Sequence, residues 1–309
     1  MVLKMGKGSR DWAQIYAIYG MDEWQTLLFL LFHAVIFTIL AVFLLLYFSP
    51  IAAALSNFRL FAMLLPAGSA RFAAGLTGSI TALIAICLLF AAANFLYSAV
   101  PLRWEIAQRM LSSVTDWSNV KIALDVGCGR GILLNAVALQ LKKQGSSGRV
   151  VGLDQKRSIT MQTLRTASQE GVQEYVTCRE GDVKRLPFRD DYFDVVVSGA
   201  AIRRAATVKE ERERVVAEMV RVLKPGGVGV VWDLQHVPEY VRKLQELRME
   251  EIRVSERVTA YMVSSHIVSF RKPCYQQQQI TVGPIISYNY NVHAYAGEVR
   301  LDWRCHNLC

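Results

Sequence analysis

Two long stretches in the first third of the chain contain no charged residue, one over 25–58 and the other over 72–102. Each is longer than the roughly 20 apolar residues with which a helix crosses a bilayer core. The pattern therefore predicts two membrane-spanning helices that place both flanking segments on the same side. The predicted segments are an N-terminal tail (1–24), a first transmembrane helix (25–48), a loop (49–71) and a second transmembrane helix (72–100).

Two other interpretations of these stretches stay open. They could be core helices of a soluble protein, although such helices are usually shorter and keep a polar edge. The first could be a secretory signal, although its apolar stretch is longer than a signal needs. It also follows Asp22 and Glu23 rather than a basic segment.

The pattern changes after Leu102, where short apolar runs alternate with amphipathic ones up to Pro273. Such alternation predicts a parallel α/β sheet covered by helices. The predicted strands are 121–126, 149–154, 175–179, 193–198 and 228–233, the predicted helices are 132–143, 157–170, 208–223 and 239–248, and 251–254 with 266–271 form a closing hairpin. The tail 274–309 is expected to be poorly ordered.

Composition sharpens this division. The 309 residues are 52% hydrophobic with 20 Gly and 8 Pro, which excludes a disordered or collagen-like chain. The net charge of +9 divides into +2 over 1–102 (five basic, three acidic) and +7 over the rest (30 basic, 23 acidic). We interpret the basic excess as belonging to a domain beside an anionic membrane leaflet rather than to a nucleic-acid-binding protein.

A glycine-rich loop follows the first predicted strand of this domain, with the sequence LDVGCGRG over Leu124–Gly131. Glycines suit a sharp turn that a ligand approaches closely, and the next helix directs its first amides at that ligand. The spacing is G-x-G-x-G, not the G-x-G-x-x-G of dinucleotide folds. Asp125 precedes the first glycine by two residues and favours a cationic ligand over a pyrophosphate.

Together with this loop, four further motifs make residues 103–273 resemble the class I S-adenosylmethionine-dependent methyltransferases. The small-molecule branch that holds the ubiquinone and menaquinone C-methyltransferases is the most similar. The four motifs are VVGLDQ (150–155), EGDVKRLPF (180–188), FDVVVSGAAIRR (193–204) and VRVLKPGG (220–227). The resemblance implies a Rossmann-like sheet of seven strands with the last one antiparallel, S-adenosylmethionine as cofactor, and a methyltransferase domain over 103–273.

The resemblance also implies the cofactor contacts. Asp154 would accept from the ribose hydroxyls, Asp182 from the adenine amino group with Val183 beside the ring, and Asp125 would face the methionyl ammonium. The other implied contacts are Gly127, Cys128, Gly129 and Gly131 at the amino-acid end, Ser198 and Gly199 near the sulfonium, and Gln155 and Lys156 at the ribose rim. As alternatives, Asp154 is a turn residue, Asp182 a surface acid, and Cys128 a small lining residue rather than a nucleophile.

Segments after the fourth and fifth strands usually contact the acceptor in this family. Here they contain His236, a candidate general base, and the pair Arg203 and Arg204, which could hold an anionic or phenolate acceptor. A structural role for His236 and a solvated arginine pair remain open. The fourth-strand motif lacks an Asn/Asp-Pro-Pro-Tyr/Phe segment, which argues against nucleic-acid or protein amide substrates.

The sequence therefore predicts a membrane-anchored methyltransferase for a small, lipophilic or membrane-partitioning acceptor. Its catalytic domain is expected to face the cytosol, at an endomembrane rather than in an organelle interior. Alternatives are a cofactor-binding scaffold without catalysis and a dinucleotide-dependent oxidoreductase. We expect no metal site, since the six cysteines form no CxxC pair and the Cys305, His306, Cys309 cluster is a weak candidate.

Overall fold

The computed structural model describes residues 11–21, 23–57, 69–155, 157–261 and 263–274. Of the residues singled out above, Lys156 and the cluster at 305–309 lie outside this part, as does nearly all of the predicted tail. The side chains of 157–160 are also outside it. The expectations for these residues therefore stay predictions.

Both apolar stretches are helices in the structure. Helix α2 spans Trp24–Leu46 and helix α4 spans Ser69–Ala99, and each is long and apolar enough to cross a membrane. The two helices pack along each other, and a methyl group added at Gly78 would lie 3.9 Å from Cβ of Leu44. Their outward side chains are exposed, as at Leu45 (77%) and Phe72 (72%), which argues against the core-helix interpretation.

The segments on either side of α2 are more structured than the pattern predicts. Helix α1, Trp12–Tyr19, lies within the predicted tail, and helix α3, Phe48–Asn57, occupies the start of the predicted loop. Pro50 is a helix-stop signal in the sequence, but it lies in the first turn of α3, where no amide donor is needed. Helices therefore occupy parts of the predicted tail (1–24) and loop (49–71), and the domain bounds themselves stay predictions.

The α/β domain begins directly after α4 with helix α5, Pro101–Ser112. Its strands are β1 (Ile122–Val126), β2 (Arg149–Asp154), β3 (Val176–Glu180), β4 (Phe193–Gly199), β5 (Leu223–Asp233), β6 (Glu250–Val254), β7 (Val258–Ala260) and β8 (Val263–Arg271). The helices between them are α6 (Ile132–Lys143), α7 (Arg157–Gln169), α8 (Ala201–Ala205), α9 (Lys209–Val222) and α10 (Val237–Glu246), with a 3₁₀ turn at Gln173–Tyr175.

The strand order is β3-β2-β1-β4-β5-β8-β6, with β7 paired to β8. Strands β1 to β5 are parallel, whereas β8 is antiparallel to β5 and to β6. The Rossmann-like methyltransferase sheet with an antiparallel last strand is thus confirmed. The predicted count of seven strands is wrong by one, because the three-residue β7 also pairs with β8.

The core lies in two layers on opposite faces of the sheet. Successive strand residues alternate between the layers, since side chains of a strand point to opposite faces. In β4, Val195 and Val197 pack with α5 and α6, whereas Val196 packs with Met219 of α9 and Tyr240 of α10.

The chain crosses from β3 on one side of β1 to β4 on its other side. This reversal opens a crevice at the carboxyl ends of β1 and β4, which is where open α/β sheets bind ligands. The functional site is therefore expected above Val126 and Gly199.

Candidate cofactor and acceptor site

The turn between β1 and α6 has a shape that requires glycine. Gly127 and Gly131 have φ angles of 73° and 84°, in the left-handed region that L-residues rarely adopt. A methyl group added at Gly127 would lie 2.2 Å from Cβ of Ala201. The turn therefore passes in close contact with α8, the short helix after β4.

Hydrogen bonds hold this turn against β2 and α7. The amide of Gly127 donates to the carbonyl of Leu153 over 2.8 Å, and the amide of Gly129 donates to Oδ2 of Asp154 over 3.0 Å. The hydroxyl of Thr163 donates to the carbonyl of Gly129 over 2.6 Å. The structure thus places the Asp154 carboxylate beside the glycine turn, as the ribose assignment requires.

Asp125 is a buried acid of the site whose pKa is strongly shifted. It is 1% exposed, and neither carboxylate oxygen accepts a hydrogen bond of good geometry within the described part of the chain. Burial, followed by repulsion from Asp154, raises the pKa of Asp125 to about 8, although the Leu134 amide and the Arg204 guanidinium act in the opposite direction. A buried carboxylate without a partner favours a cationic ligand, which would restore the lost interactions.

A cavity of about 530 Å³ lies against Asp125 and the glycine turn. Its size is within the range of small-molecule sites. The loop side of the cavity is formed by Asp125, Gly127, Cys128, Gly129, Arg130, Gly199 and Ala200. The structure thus brings together Asp125, Gly127, Cys128 and Gly129, which are assigned to the amino-acid end of the cofactor, and one of the two residues assigned to the sulfonium. Gly131 is not among the lining residues.

Cys128 and Ser198 are both engaged inside the protein. The hydrogen bond between the thiols of Cys128 and Cys178, together with burial, raises the pKa of Cys128 well above its usual range, so a reactive thiolate is disfavoured. The Ser198 hydroxyl is buried and donates to the carbonyl of Val126 over 3.0 Å, which ties β4 to β1. Gly199 lines the cavity and Ser198 does not.

The residues assigned to the adenine end lie beyond the cavity lining. Gln155 donates from Nε2 to Oδ1 of Asp182 over 3.3 Å, and the amide of Lys184 donates to the same oxygen over 2.9 Å. Val183 is 2% exposed and packs in the core. The Asp182 and Val183 assignments therefore stay predictions, although Asp182 lies within reach of the β2 end through Gln155.

The candidate acceptor residues separate into two places. Arg203 and Arg204 line the cavity, and a methyl group added at Gly129 would lie 3.8 Å from Nη2 of Arg204. His236 is not among the lining residues, and its Nδ1 lies 3.3 Å from Oε1 of Glu239 at the start of α10. Glu239 also pairs with buried Arg212. The arginines are thus at the site, whereas His236 lies in a structural ion-pair cluster.

The remaining cavity lining was not anticipated from the motifs. It comes from the segment before α2, from the end of α4, from α5 and from the turn between β7 and β8. These residues include Tyr19, Gly20, Met21, Glu23, Phe95, Ala99, Val100, Arg103, Ile106, Met110, Tyr261 and Val263. The one local signal available was Asp11, whose side chain caps α1 before Gly20 ends it, a pattern typical of a short ordered helix.

The site fits S-adenosylmethionine at its amino-acid end. The unpartnered carboxylate of Asp125 matches a cationic ammonium group, and the turn at Gly127 leaves no room for a side chain beside it. Asp154 occupies the end of β2, where a carboxylate can accept from vicinal hydroxyls.

Comparison with known proteins agrees with this geometry. Residues 124–231 match the family described as "Methyltransferase domain". The chain is 34% identical over 110 residues to a demethylmenaquinone methyltransferase of Lactobacillus johnsonii, covering 35% of this chain and 42% of the relative. It is 38% identical over 119 residues to the chloroplastic 2-phytyl-1,4-beta-naphthoquinone methyltransferase of Arabidopsis thaliana, covering 36% and 42%.

The chain thus matches less than half the length of these two relatives. A solved structure of the [4+2]-cyclase SpnF superposes with a TM-score of 0.47 at 18% identity, covering 55% of this chain and 81% of the cyclase. From the sheet order, the glycine turn and the family match, we conclude that residues 124–231 lie within a methyltransferase domain of the class I S-adenosylmethionine-dependent type.

Proposed function

We propose that the protein is a membrane-anchored enzyme that transfers the methyl group of S-adenosylmethionine to a small, membrane-partitioning acceptor. The observation that carries the proposal is the buried, unpartnered Asp125 carboxylate at the base of a cavity that also reaches the ends of the apolar helices. The named relatives that act on menaquinone or naphthoquinone precursors support a quinone-type acceptor.

The cofactor supplies an activated methyl group, and the protein's residues supply position. Asp125 would bind the methionyl ammonium, and Asp154 the ribose. The glycine turn fixes the backbone between these two carboxylates, and Gly199 with the arginine pair would line the space beside the bound cofactor. When bound, the cofactor would supply an electrophilic methyl group, and the residues of the cavity would hold an acceptor nucleophile beside it and exclude water.

The acceptor side is basic and partly apolar. Arg203 and Arg204 bring two guanidinium groups to the cavity, which suits an acceptor whose reactive hydroxyl is ionised or weakly acidic. Apolar lining residues such as Met110 and Trp232 exclude water from the same space. No catalytic base is assigned from the lining, since His236 lies outside it.

Membrane anchoring rests on α2 and α4. Trp24 at the start of α2 and Tyr97 near the end of α4 lie at the end of the hairpin that joins the α/β domain, where aromatic residues are typical of a membrane interface. Because S-adenosylmethionine is made in the cytosol, we place the domain and the N-terminus on the cytosolic face. The segment that connects the two helices would then lie on the opposite, non-cytosolic side of the membrane.

Calorimetry on the full chain in detergent micelles tests the cofactor assignment. We expect S-adenosylmethionine to bind and NAD not to bind, and Asp154→Ala to weaken S-adenosylmethionine binding. Binding of NAD instead would support the oxidoreductase alternative and overturn the proposal. A scaffold without catalysis would bind the cofactor equally well, so it is distinguished by methyl transfer itself, measured with labelled cofactor on a total lipid extract.

A further inference from the structure

One wall of the cavity is built by the end of α4 and by the segment that precedes α2. Phe95, Ala99 and Val100, at and just past the end of α4, line the cavity together with Met21 and Glu23, which precede α2. The ends of both apolar helices therefore contribute to the same space as Asp125. An apolar chain lying in the bilayer beside the hairpin would reach this wall without crossing the protein core.

The turn between β7 and β8 closes this wall from the other side. The ring of Tyr261 meets the ring of Phe95 edge-on at a centroid distance of 5.8 Å. The amide of Tyr261 donates to the hydroxyl of buried Ser98 over 3.0 Å. The extra strand β7 thus has a structural consequence, because it holds an aromatic side chain against the end of α4.

Arg103 lies between this wall and the rest of the cavity. Its Nη2 donates to the hydroxyl of Tyr261 over 3.1 Å, and its guanidinium carbon lies 6.0 Å from the Tyr261 ring centroid. Its Nε is buried and has no hydrogen-bond partner among the described residues. Because the Arg103 side chain lines the cavity, its guanidinium group favours a ligand that presents an acceptor oxygen there.

Resting on the proposed function, we propose that Phe95, Arg103 and Tyr261 form the acceptor subsite and that it takes an amphipathic molecule from the bilayer. The ligand carries a ring with a weakly acidic hydroxyl, whose oxygen accepts from Arg103. Its apolar chain leaves past Phe95 and Met21 towards the hairpin. The subsite therefore selects acceptors by their apolar chain as well as by their ring.

Photo-crosslinking tests the subsite independently of methyl transfer. The full chain is placed in nanodiscs with a reduced 2-phytyl-1,4-naphthoquinone analogue that carries a diazirine in the phytyl chain, and crosslinked peptides are mapped by mass spectrometry. We expect labels at Met21 and Phe95, which lie along the proposed path of the phytyl chain, with competition by the unlabelled quinol. Labels confined to the lipid-facing side chains of α2 and α4, as with a diazirine phospholipid, would overturn the proposal.

Two variants and one control test the named residues. Phe95→Ala and Arg103→Gln are each expected to lower specific crosslinking by about tenfold, a change equivalent to roughly 1.4 kcal/mol. Leu83→Ala, which shortens an exposed side chain in α4, is expected to leave it unchanged. Arg103→Lys should recover part of the yield. Equal yields in Leu83→Ala and Phe95→Ala would contradict the subsite.

This result can be distinguished from a failure of the proposed function. If crosslinking is specific and responds to the variants but no methyl group is transferred, the subsite stands and the enzyme assignment fails. If methyl transfer to a lipid extract occurs without specific crosslinking, the enzyme assignment stands and the subsite proposal fails. In each case binding of S-adenosylmethionine by every variant confirms that the domain is folded.

Discussion

Arg130 of the glycine turn donates a hydrogen bond from Nη1 to the main-chain carbonyl of Tyr19, over 2.7 Å. The contact joins the cofactor loop to the segment that precedes the first apolar helix, 111 residues earlier. Tyr19 is 1% exposed, and its hydroxyl donates to Glu170 over 2.9 Å. The described residues 11–21 therefore pack against the site through Tyr19.

Replacing Tyr19 should loosen this segment. Tyr19→Ala removes a buried aromatic side chain, and we expect the free energy of unfolding to fall by about 3–5 kcal/mol and cofactor affinity to fall with it. Tyr19→Phe is the matched control, because it removes only the hydroxyl and should cost about 1 kcal/mol. The rate of limited chymotrypsin cleavage around Trp12 and Tyr16 measures how far this segment detaches from the domain. Equal cleavage rates in the two variants would show that the Tyr19 ring does not hold the segment in place.

Asp125 sets a pH dependence with opposite signs for stability and binding. Because its pKa in the folded protein is raised to about 8 by burial and by Asp154, the cofactor-free protein loses stability as the pH rises from about 4 to about 8. Above about pH 8 the Asp125 carboxyl is ionised, and the folded protein carries the whole free-energy cost of burying that charge. Binding of a cationic cofactor, which requires the carboxylate, strengthens over the upper part of the same interval.

Asp125→Asn should remove both effects. We expect the cofactor-free variant to be more stable than the original protein at pH 8.5, by about 1–3 kcal/mol, and to bind S-adenosylmethionine at least tenfold more weakly. Thermal unfolding and calorimetry between pH 6 and pH 8.5 measure the two quantities. A variant that is destabilised at high pH would show that the Asp125 carboxylate has a partner in the cofactor-free protein.

Gly127→Ala tests whether the turn needs glycine for space as well as for conformation. The added methyl group would lie 2.2 Å from Cβ of Ala201, and φ is 73°. We expect a loss of about 2–5 kcal/mol and of cofactor binding, from strain and overpacking together. The control is Gly145→Ala, where φ is 64° but no atom lies within 4 Å.

The control should lose only about 1–2 kcal/mol, since the backbone strain is similar and the contact is absent. Chemical denaturation of both variants gives the comparison. If the two changes were equally destabilising, the close contact between the glycine turn and α8 would not matter to the fold.

Steady-state kinetics of single variants can distinguish the role of His236 from that of Arg203 and Arg204. His236 bonds Glu239 and lies outside the cavity lining, so His236→Gln should keep kcat within about threefold of the original protein, a difference of less than 1 kcal/mol. Arg203→Gln and Arg204→Gln should raise KM for the acceptor. A loss of kcat in His236→Gln with a shifted pH profile would restore His236 as the general base.

The sheet could be predicted from sequence because its signals are local. The helix at Ile132–Lys143 and the strand at Arg149–Asp154 are confirmed with the predicted bounds, since apolar runs end there at charged residues or turns. Strand β5 begins five residues earlier than predicted. Leu223 pairs with Phe193 before an irregularity in register that accommodates Pro225 and the two following glycines.

The cavity wall that contains Arg103 and Tyr261 could not be predicted, because its contacts join distant parts of the chain. Arg103 and Tyr261 are 158 residues apart, and the three-residue β7 that carries Tyr261 to the site is too short to stand out in a hydrophobic pattern. The glycine turn could be predicted from its motif, whereas the position of the two apolar helices relative to it depends on the folded chain.

The most direct measurement is transfer of a deuterated methyl group by the full chain in nanodiscs supplied with a total lipid extract. We expect mass spectrometry of the organic phase to find a product that carries one trideuteromethyl group and retains an apolar chain, and Asp125→Asn to form far less of it. Cofactor binding without any labelled lipid, or label only in water-soluble compounds, would contradict it.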